Sequence, residues 1–211
     1  MILSVKQGKA NKIHIYVDDE YRATVDSDFW YSERYKNLKE INEDELTELL
    51  SAVGFRRAYN KGLDFLSRRP YGKKELIRKL SEKGHEKESA EKACERLEEL
   101  GLLNDEEFAR ILAEELFERK GYGKKRINQE LVYRGLDREI AQNAVDALDN
   151  DAVKRIILVV KKKYLNKLDD EKGKRRAIDG LLRLGYSYSD IKTALSSLTE
   201  FEEEYTQVTA D

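Results

Sequence analysis

The chain contains an internal repeat of about 50 residues, marked by pairs of glycines that lie 12 positions apart. Two basic residues follow the first glycine of each pair, and the apolar residues between the glycines are four apart, which places them on one helix face. Units of this size bury their apolar faces by stacking against neighbours, so the repeat constrains the fold strongly. The glycine pairs are Gly72 and Gly84, Gly123 and Gly135, and Gly173 and Gly185.

The apolar pattern predicts three helices in each unit. One amphipathic segment precedes the first glycine, one lies between the glycines, and one follows the second glycine with apolar residues at offsets 6, 10 and 13. The second glycine suits a left-handed helix C-cap. Cys94 occupies an apolar repeat position, which predicts a buried structural thiol. The predicted fold class is mainly α, with three tandem three-helix repeats in an elongated, curved array.

The first part of the chain differs from the repeats. Residues 12–17 and 21–25 are rich in β-branched and aromatic side chains and predict a hairpin that turns at residues 18–20, with residues 2–6 as a third strand. Asn42 is predicted to cap a following helix, and we expect Trp30 and Tyr31 to pack this element down. The predicted segments are 1–54 for this element, 55–103, 104–150 and 151–199 for the repeats, and 200–211 for an acidic tail.

Charge alternates along the chain although the total is only −2. Residues 56–92, 119–138 and 154–176 carry net charges of +6, +5 and +7, and acidic segments separate them. A general nucleic-acid binder would be basic overall, so this pattern favours basic stripes on a nearly neutral protein. A single cysteine and the absence of a signal-like or membrane-spanning apolar run predict a soluble cytoplasmic protein.

The sequence lacks the patterns of common catalytic and cofactor sites. His14 and His85 have no neighbouring Cys or His ligands, and no phosphate-binding or dinucleotide-binding glycine motif occurs. No buried strand precedes the glycines at 121 and 123, as a phosphate-binding loop would require, so they are interpreted as part of an interhelix turn. We therefore expect no enzyme activity, no metal and no cofactor.

Two stretches resemble a known family closely. Residues 66–76, followed by Leu80, Lys83 and Gly84, and then residues 97–109, resemble the RecX family, which regulates the RecA recombinase. Residues 123–127, with Glu130, Leu131 and Gly135, match the second unit of that family. The clear similarity covers 58–148. The third unit departs from it with Ala177 in place of Leu or Ile, and Gly72 stands where the family more often has a capping Ser.

The resemblance implies a non-catalytic protein that binds the RecA–single-stranded-DNA filament along its groove, and we expect the protein to be a monomer. Such a protein would modulate recombinase activity in DNA repair and homologous recombination, with inhibition as the expected direction. Two alternatives stay open, namely a direct DNA-binding module of helix-turn-helix type and a helical-repeat scaffold for another protein. Acidic residues after Gly84 and Gly135 speak against the first of these, which leaves weak direct DNA binding possible.

The candidate contact residues are the cations near the first glycine of each repeat, whose proposed role is electrostatic. They are Arg68, Arg69, Lys73, Lys74 and Arg78 in the first repeat, Lys124, Lys125 and Arg126 in the second, and Lys174, Arg175 and Arg176 in the third.

Overall fold

The computed structural model describes residues 1–149, 151–164, 168 and 170–208, without the side chains of residues 34 and 199–208. The chain divides into two compact units, residues 1–104 and 105–211. The first unit begins with a three-stranded antiparallel sheet whose strands follow in chain order. The strands are β1 (Leu3–Gln7), β2 (Lys12–Val17) and β3 (Glu20–Asp26). The predicted hairpin and third strand are therefore confirmed.

The β2–β3 hairpin turns tightly without a glycine. Asp18 and Asp19 both adopt positive φ angles, of 51° and 64°, and Val17 pairs with Glu20 across them. Two consecutive left-handed residues match the right-handed strand twist, and Asp tolerates that region better than most residues. The absence of glycine made this turn a weak signal in the sequence, although its position was predicted correctly.

One face of the sheet packs on the first hydrophobic core. Ile13, Ile15 and Val17 alternate along β2 with more exposed residues and meet Trp30 and the following helices. Trp30 is buried as predicted, at the end of the short helix α1 (Ser27–Ser32). The expectation for Tyr31 was wrong. Its side chain is 57% exposed, because the adjacent positions of a short helix point in different directions.

The two helical segments predicted on either side of residue 54 form one helix, α2 (Glu43–Leu66). Asn42 and Glu45 form a capping box at its start, which confirms the predicted cap. The first half of α2 packs on the sheet, and its second half packs on the first repeat. Gly54 and Gly62 lie against Ser89 and Leu97 of a crossing helix, where an added methyl group would come within 2.6 and 2.8 Å of those side chains.

The first repeat is completed by α3 (Lys73–Glu82) and α4 (Lys87–Glu99). Leu76, Leu80, Cys94 and Leu97 are fully buried in its core, so the predicted burial of the thiol is confirmed. Gly84 adopts a φ of +84° between the two helices, which is the left-handed cap expected there.

The second unit contains six α-helices in its described part. They are α5 (Asp105–Glu115), α6 (Lys124–Tyr133), α7 (Arg138–Asp146), α8 (Ala152–Lys163), α9 (Glu171–Arg183) and α10 (Tyr188–Val208). A π-helical turn, Leu116–Lys120, continues α5 and ends at Gly121, which has a φ of +67°. One core joins α5, α6 and α7, and another joins α8, α9 and α10.

Three features of the second unit bear on the sequence expectations. Gly135 and Gly185 are left-handed as predicted, with φ of +93° and +92°. Gly173 lies inside the first turn of α9, because Asp170 caps the helix three residues earlier than the repeat pattern indicates. The backbone of α10 remains helical through Val208, whereas residues 209–211 of the predicted tail lie outside the described residues. The domain boundaries and the shape of the array stay predictions.

Candidate cationic binding surface

The first basic residue after the opening glycine is held inside the first two repeats. Lys73 donates a hydrogen bond to Glu98 Oε2 at 2.6 Å, and this contact raises the pKa of Lys73 although desolvation opposes it. Lys124 donates to the carbonyl oxygen of Leu148 at 2.9 Å. Glu98 lies near the end of α4 and Leu148 just beyond the end of α7, where a cation also interacts favourably with the helix dipole. These two lysines therefore fasten the middle helix of each repeat to the third.

The second basic residue after the glycine is exposed in every repeat. Lys74, Lys125 and Arg175 point to solvent, and none of them forms an ion pair or a hydrogen bond through its side chain within the described residues. Lys74 and Lys125 lie in the first turn of α3 and α6, where the helix dipole disfavours a cation. These cations thus contribute little to the fold, and their charge is free for a partner.

Arg69 is tied to the turn that precedes α3. Its guanidinium lies 3.6 Å from the ring centroid of Tyr71 and donates to Glu75 Oε1 at 2.8 Å. Desolvation by burial opposes the charge, but Glu75 outweighs it and raises the pKa of Arg69. Glu75 is buried, so the ion pair gives it the counter-charge that a buried carboxylate requires.

The other two predicted residues of the first repeat lie on the surface. Arg68 donates to Asp64 at 2.9 Å and is 69% exposed, and Arg78 lies 3.8 Å from Glu82. Exposed pairs of this kind contribute little free energy. Arg68 and Arg78 can therefore exchange these intramolecular partners for an external anion at small cost.

The second and third repeats meet at their glycines. The Gly123 N–H donates to the Leu184 carbonyl oxygen at 2.7 Å, and a methyl group at Gly123 would approach the Gly185 carbonyl oxygen to 2.6 Å. Arg126 stacks over the Tyr122 ring, 4.4 Å from its centroid, and donates to the Arg183 carbonyl oxygen. Arg126 therefore joins the two repeats instead of standing free in solvent.

The third repeat has two exposed predicted cations and one that is partly buried. Lys174 lies 3.5 Å from Glu171 of the same helix turn, with its side chain 45% exposed and that of Glu171 84% exposed. Arg175 and Arg176 are exposed, and neither has a side-chain partner in the part of the chain that the structure describes. The predicted site residues thus fall into internal contacts, weak surface pairs and open cations.

Sequence reasoning missed a basic cleft in the second unit. It has a volume of about 170 Å³ and lies between the π-helical turn and α8. Arg155 forms its base, donating to the Phe117 carbonyl oxygen and to Glu118. The net charge of +7 over residues 154–176 could have indicated this cleft. Its cations do not follow the first glycine of a repeat, however, so the glycine pattern did not predict them. Its exposed cations are Arg119, Lys120, Lys162 and Lys163.

The described residues contain neither a candidate metal-binding group nor a helix able to span a membrane. No group of three or more His, Cys, Asp or Glu side chains in those residues is arranged to hold a metal ion. Among the same residues, no helix combines the length and apolar character that crossing a membrane requires.

The fold and the ordered cations define a protein of tandem three-helix repeats that carries a small N-terminal sheet. Two family models match it, the first three-helix domain of RecX over residues 58–97 and the second over residues 104–145. A regulatory protein RecX from Clostridioides difficile (strain 630) is 31% identical over 208 residues, which cover 96% of this chain and 98% of that protein. The chain belongs to the RecX family of regulatory proteins, which confirms the resemblance seen in the sequence.

Further similarities agree with this assignment. A regulatory protein RecX from Listeria monocytogenes serotype 4a (strain HCC23) is 27% identical, over 93% of this chain and 74% of that protein. Among solved structures, a crystal structure of regulatory protein RecX superposes with a TM-score of 0.67 at 20% identity, over 92% of this chain and 98% of that chain. A crystal structure of RecX from Lactobacillus salivarius gives a TM-score of 0.61 at 24% identity, over 69% and 97% respectively. These two structures support the fold.

Proposed function

We propose that this protein is a non-catalytic regulator of the RecA recombinase that binds the RecA–single-stranded-DNA filament along its groove and inhibits it. Membership of the RecX family supports the choice of partner. The observation that carries the binding mode is the recurrence of one open cation at the same position of each repeat, in Lys74, Lys125 and Arg175. A filament of identical subunits offers the same acceptor at intervals, and a cation that recurs in each repeat of this chain can match it.

The free energy of such binding comes from the number of electrostatic contacts more than from the strength of any one of them. Each exposed lysine or arginine adds a small electrostatic attraction to phosphates or to acidic side chains of the filament. Because the repeats are covalently linked, binding of one raises the effective concentration of the next. Charge complementarity then sets the association rate and the register along the polymer.

The test compares two triple variants that remove the same charge. The first is K74A/K125A/R175A. The control is K87A/K92A/R110A, whose exposed cations already pair with carboxylates on their own helices, at 3.7 Å for Lys87 and Glu91 and at 2.7 Å for Lys92 and Glu88. The measurement is single-stranded-DNA-dependent ATP hydrolysis by RecA at increasing concentrations of each protein.

We expect the wild-type protein to lower the rate of hydrolysis. The first variant should need a concentration about tenfold higher for half-inhibition, and the control should resemble the wild type. An unchanged rate at several-fold molar excess of the wild type would contradict the proposal. If the two triple variants lose the same amount of inhibition, the open cations have no specific role in binding.

Direct contact with DNA is a second candidate, favoured by the basic cleft of Arg119, Lys120, Lys162 and Lys163. The exposed acids of α4 do not support major-groove reading by that helix, although Glu88 and Glu91 are partly neutralised by lysines. A binding measurement with duplex DNA separates the candidates. K162A/K163A should weaken duplex binding and reduce its salt dependence if the cleft contacts phosphates.

A further inference from the structure

The sheet face opposite the hydrophobic core displays aromatic and basic side chains. His14 and Tyr16 alternate along β2 with the buried Ile13 and Ile15, so they point away from the core. Strand pairing sets neighbours beside them on the same face. The pairs are Lys6 with His14, His14 with Thr24, and Tyr16 with Tyr21 after a bulge in β3. This set, with Lys12, is called the open face below.

The three rings of the open face form a fixed platform. The centroids of Tyr16 and Tyr21 lie 5.9 Å apart at an interplanar angle of 74°, and those of His14 and Tyr21 lie 6.3 Å apart. The Thr24 hydroxyl is 2.9 Å from the Tyr21 hydroxyl and 2.7 Å from His14 Nδ1, so one residue orients two rings. Tyr21 is nevertheless 57% exposed. An oriented ring with its surface in water is ready to stack on a planar ligand without further ordering.

A cationic cleft adjoins this platform at the β3 edge of the sheet. It lies between β3 and α2, has a volume of about 270 Å³ and shares Lys12, Tyr21 and Thr24 with the open face. The Arg56 Nε is buried there and makes no hydrogen bond to any described residue. A buried donor of this kind requires an acceptor, and an oxyanion supplies one to a guanidinium. The further cleft residues with polar side chains are Asp26, Arg57 and Asn60.

The carboxylate in the cleft is already occupied. Asp26 forms an ion pair with Lys12 and lies 3.4 Å from Asn60 Nδ2. Arg56 and Arg57 therefore keep a net positive charge in the cleft after Asp26 is satisfied. A cationic cleft beside exposed aromatic rings combines two features that proteins use for unpaired nucleic acid, since the bases stack on rings and the backbone follows the cations.

We propose that the open face and its cleft bind a single-stranded polynucleotide, with bases stacked on Tyr21 and Tyr16 and a backbone phosphate held by Arg56 and Arg57. The bases of a duplex are already stacked and paired, so they cannot use the rings. This site lies between the sheet and α2 and contains none of the candidate repeat cations, and we expect it to bind without a recombinase. Its test is therefore independent of the function proposed above.

The first experiment measures fluorescence anisotropy of labelled oligothymidylate and oligouridylate, each about 15 nucleotides long, with the full-length protein alone. Tyr21→Ala should weaken binding about tenfold. Tyr31→Ala is the matched control, because Tyr31 has the same exposed fraction of 57% but lies on α1, and it should leave affinity unchanged. The oligonucleotide that binds with the higher affinity identifies whether DNA or RNA is the preferred strand.

The cleft is tested through salt dependence. The variant R56Q/R57Q should reduce the slope of log affinity against log salt by about one to two, whereas K87Q/K92Q, which removes the same charge from α4, should leave that slope unchanged. A thermal melt of each variant checks that the sheet stays folded. Equal affinities of the Tyr21→Ala and Tyr31→Ala proteins would overturn the proposal.

Photo-crosslinking of the unaltered protein gives a result that needs no variant. An oligonucleotide containing 5-iodouracil should crosslink to Tyr21 or Tyr16, because a stacked ring is the nearest acceptor of the excited base. Peptide mapping that places these crosslinks in the open face supports the proposal. Crosslinks confined to the repeats, or tighter binding of duplex than of single strands, would overturn it.

Discussion

The first and third repeats begin their middle helices differently, although both carry a glycine followed by two basic residues. Gly72 is the N-cap of α3, and Lys73 crosses to Glu98 on α4. In the third repeat Asp170 caps α9 and accepts a hydrogen bond from the Gly173 N–H at 2.6 Å, and Lys174 reaches only its own helix turn. The same motif therefore gives an internal brace in one repeat and a surface cation in the other.

The fourth residue after the glycine extends this comparison into the core. Leu76, Ile127 and Ala177 occupy equivalent positions and are all fully buried. Tyr164 packs against α9 at a different position, where a methyl group at Gly180 would collide with the Tyr164 hydroxyl. The third core thus has a smaller side chain at this position than the first two cores.

The largest expected effect is at the first of these positions. Leu76→Ala should destabilise the protein by about 2–5 kcal/mol, because truncating a fully buried leucine leaves a cavity in the first core. Urea unfolding measures the loss. Lys74→Ala, on the exposed side of the same helix, is the control and should change stability by less than about 0.5 kcal/mol. Similar losses in both variants would contradict the assignment of Leu76 to the core.

A second prediction concerns the contact between the second and third repeats. Gly123→Ala should cost about 1–3 kcal/mol, because the added methyl group would meet backbone atoms of Gly185 and Tyr186 at 2.6–2.9 Å. Hydrogen exchange at the Gly123 amide, which bonds to Leu184, should become faster. Lys125→Ala lies two residues away on the surface and serves as the control. An unchanged exchange rate in Gly123→Ala would show that the repeats separate at this point in solution.

A third and smaller difference is expected for the first basic residue. Lys73→Met should destabilise by about 0.5–1 kcal/mol through loss of the contact with Glu98, since the lysine side chain is 31% exposed. Lys174→Met should have no measurable effect, because its pair with Glu171 lies in solvent. Paired urea titrations of the two variants measure this contrast. Equal stabilities would mean that Lys73 does not brace the repeat.

The sequence predicted local features of these repeats better than their contacts. Helix positions, the cap at Asn42 and the left-handed glycines follow from residues close together in the chain, so periodicity and capping chemistry were sufficient. The roles of Lys73 and Lys124 depend on acceptors about 25 residues away, at the ends of other helices, for which no local pattern exists. The start of α9 was missed because the Asp170 cap lies before the glycine that marks the repeat.

The candidate site shows the same limit. The charge pattern located the basic segments, but it could not separate open cations such as Lys74 from internal ones such as Arg126. The open face of the sheet was also missed, because its strands belong to a segment with a net negative charge. Its aromatic platform arises from cross-strand pairing, which brings Tyr16 and Tyr21 together only after the hairpin forms.

The smallest expected effect concerns the residue after the closing glycine, which is His85 in the first repeat and Tyr186 in the third. Burial, with repulsion from Arg57 and Lys61, lowers the pKa of His85 below its ordinary value of 6.5. The folded state therefore favours the neutral ring, and this contribution is present above pH 6.5 and is lost as the pH falls through the lowered value. Burial raises the pKa of Tyr186 above 10 although Arg155 opposes this, so its contribution is lost only in alkali.

The two repeats should consequently respond to opposite ends of the pH scale. His85→Gln should reduce the fall in unfolding free energy between about pH 7 and pH 5, measured by urea titration at each pH. Tyr186→Phe should leave that acid response unchanged, because its hydroxyl titrates far above this range. An acid response that is the same in wild type and His85→Gln would contradict the burial of a neutral imidazole. It would also remove the contrast between the closing turns of the first and third repeats.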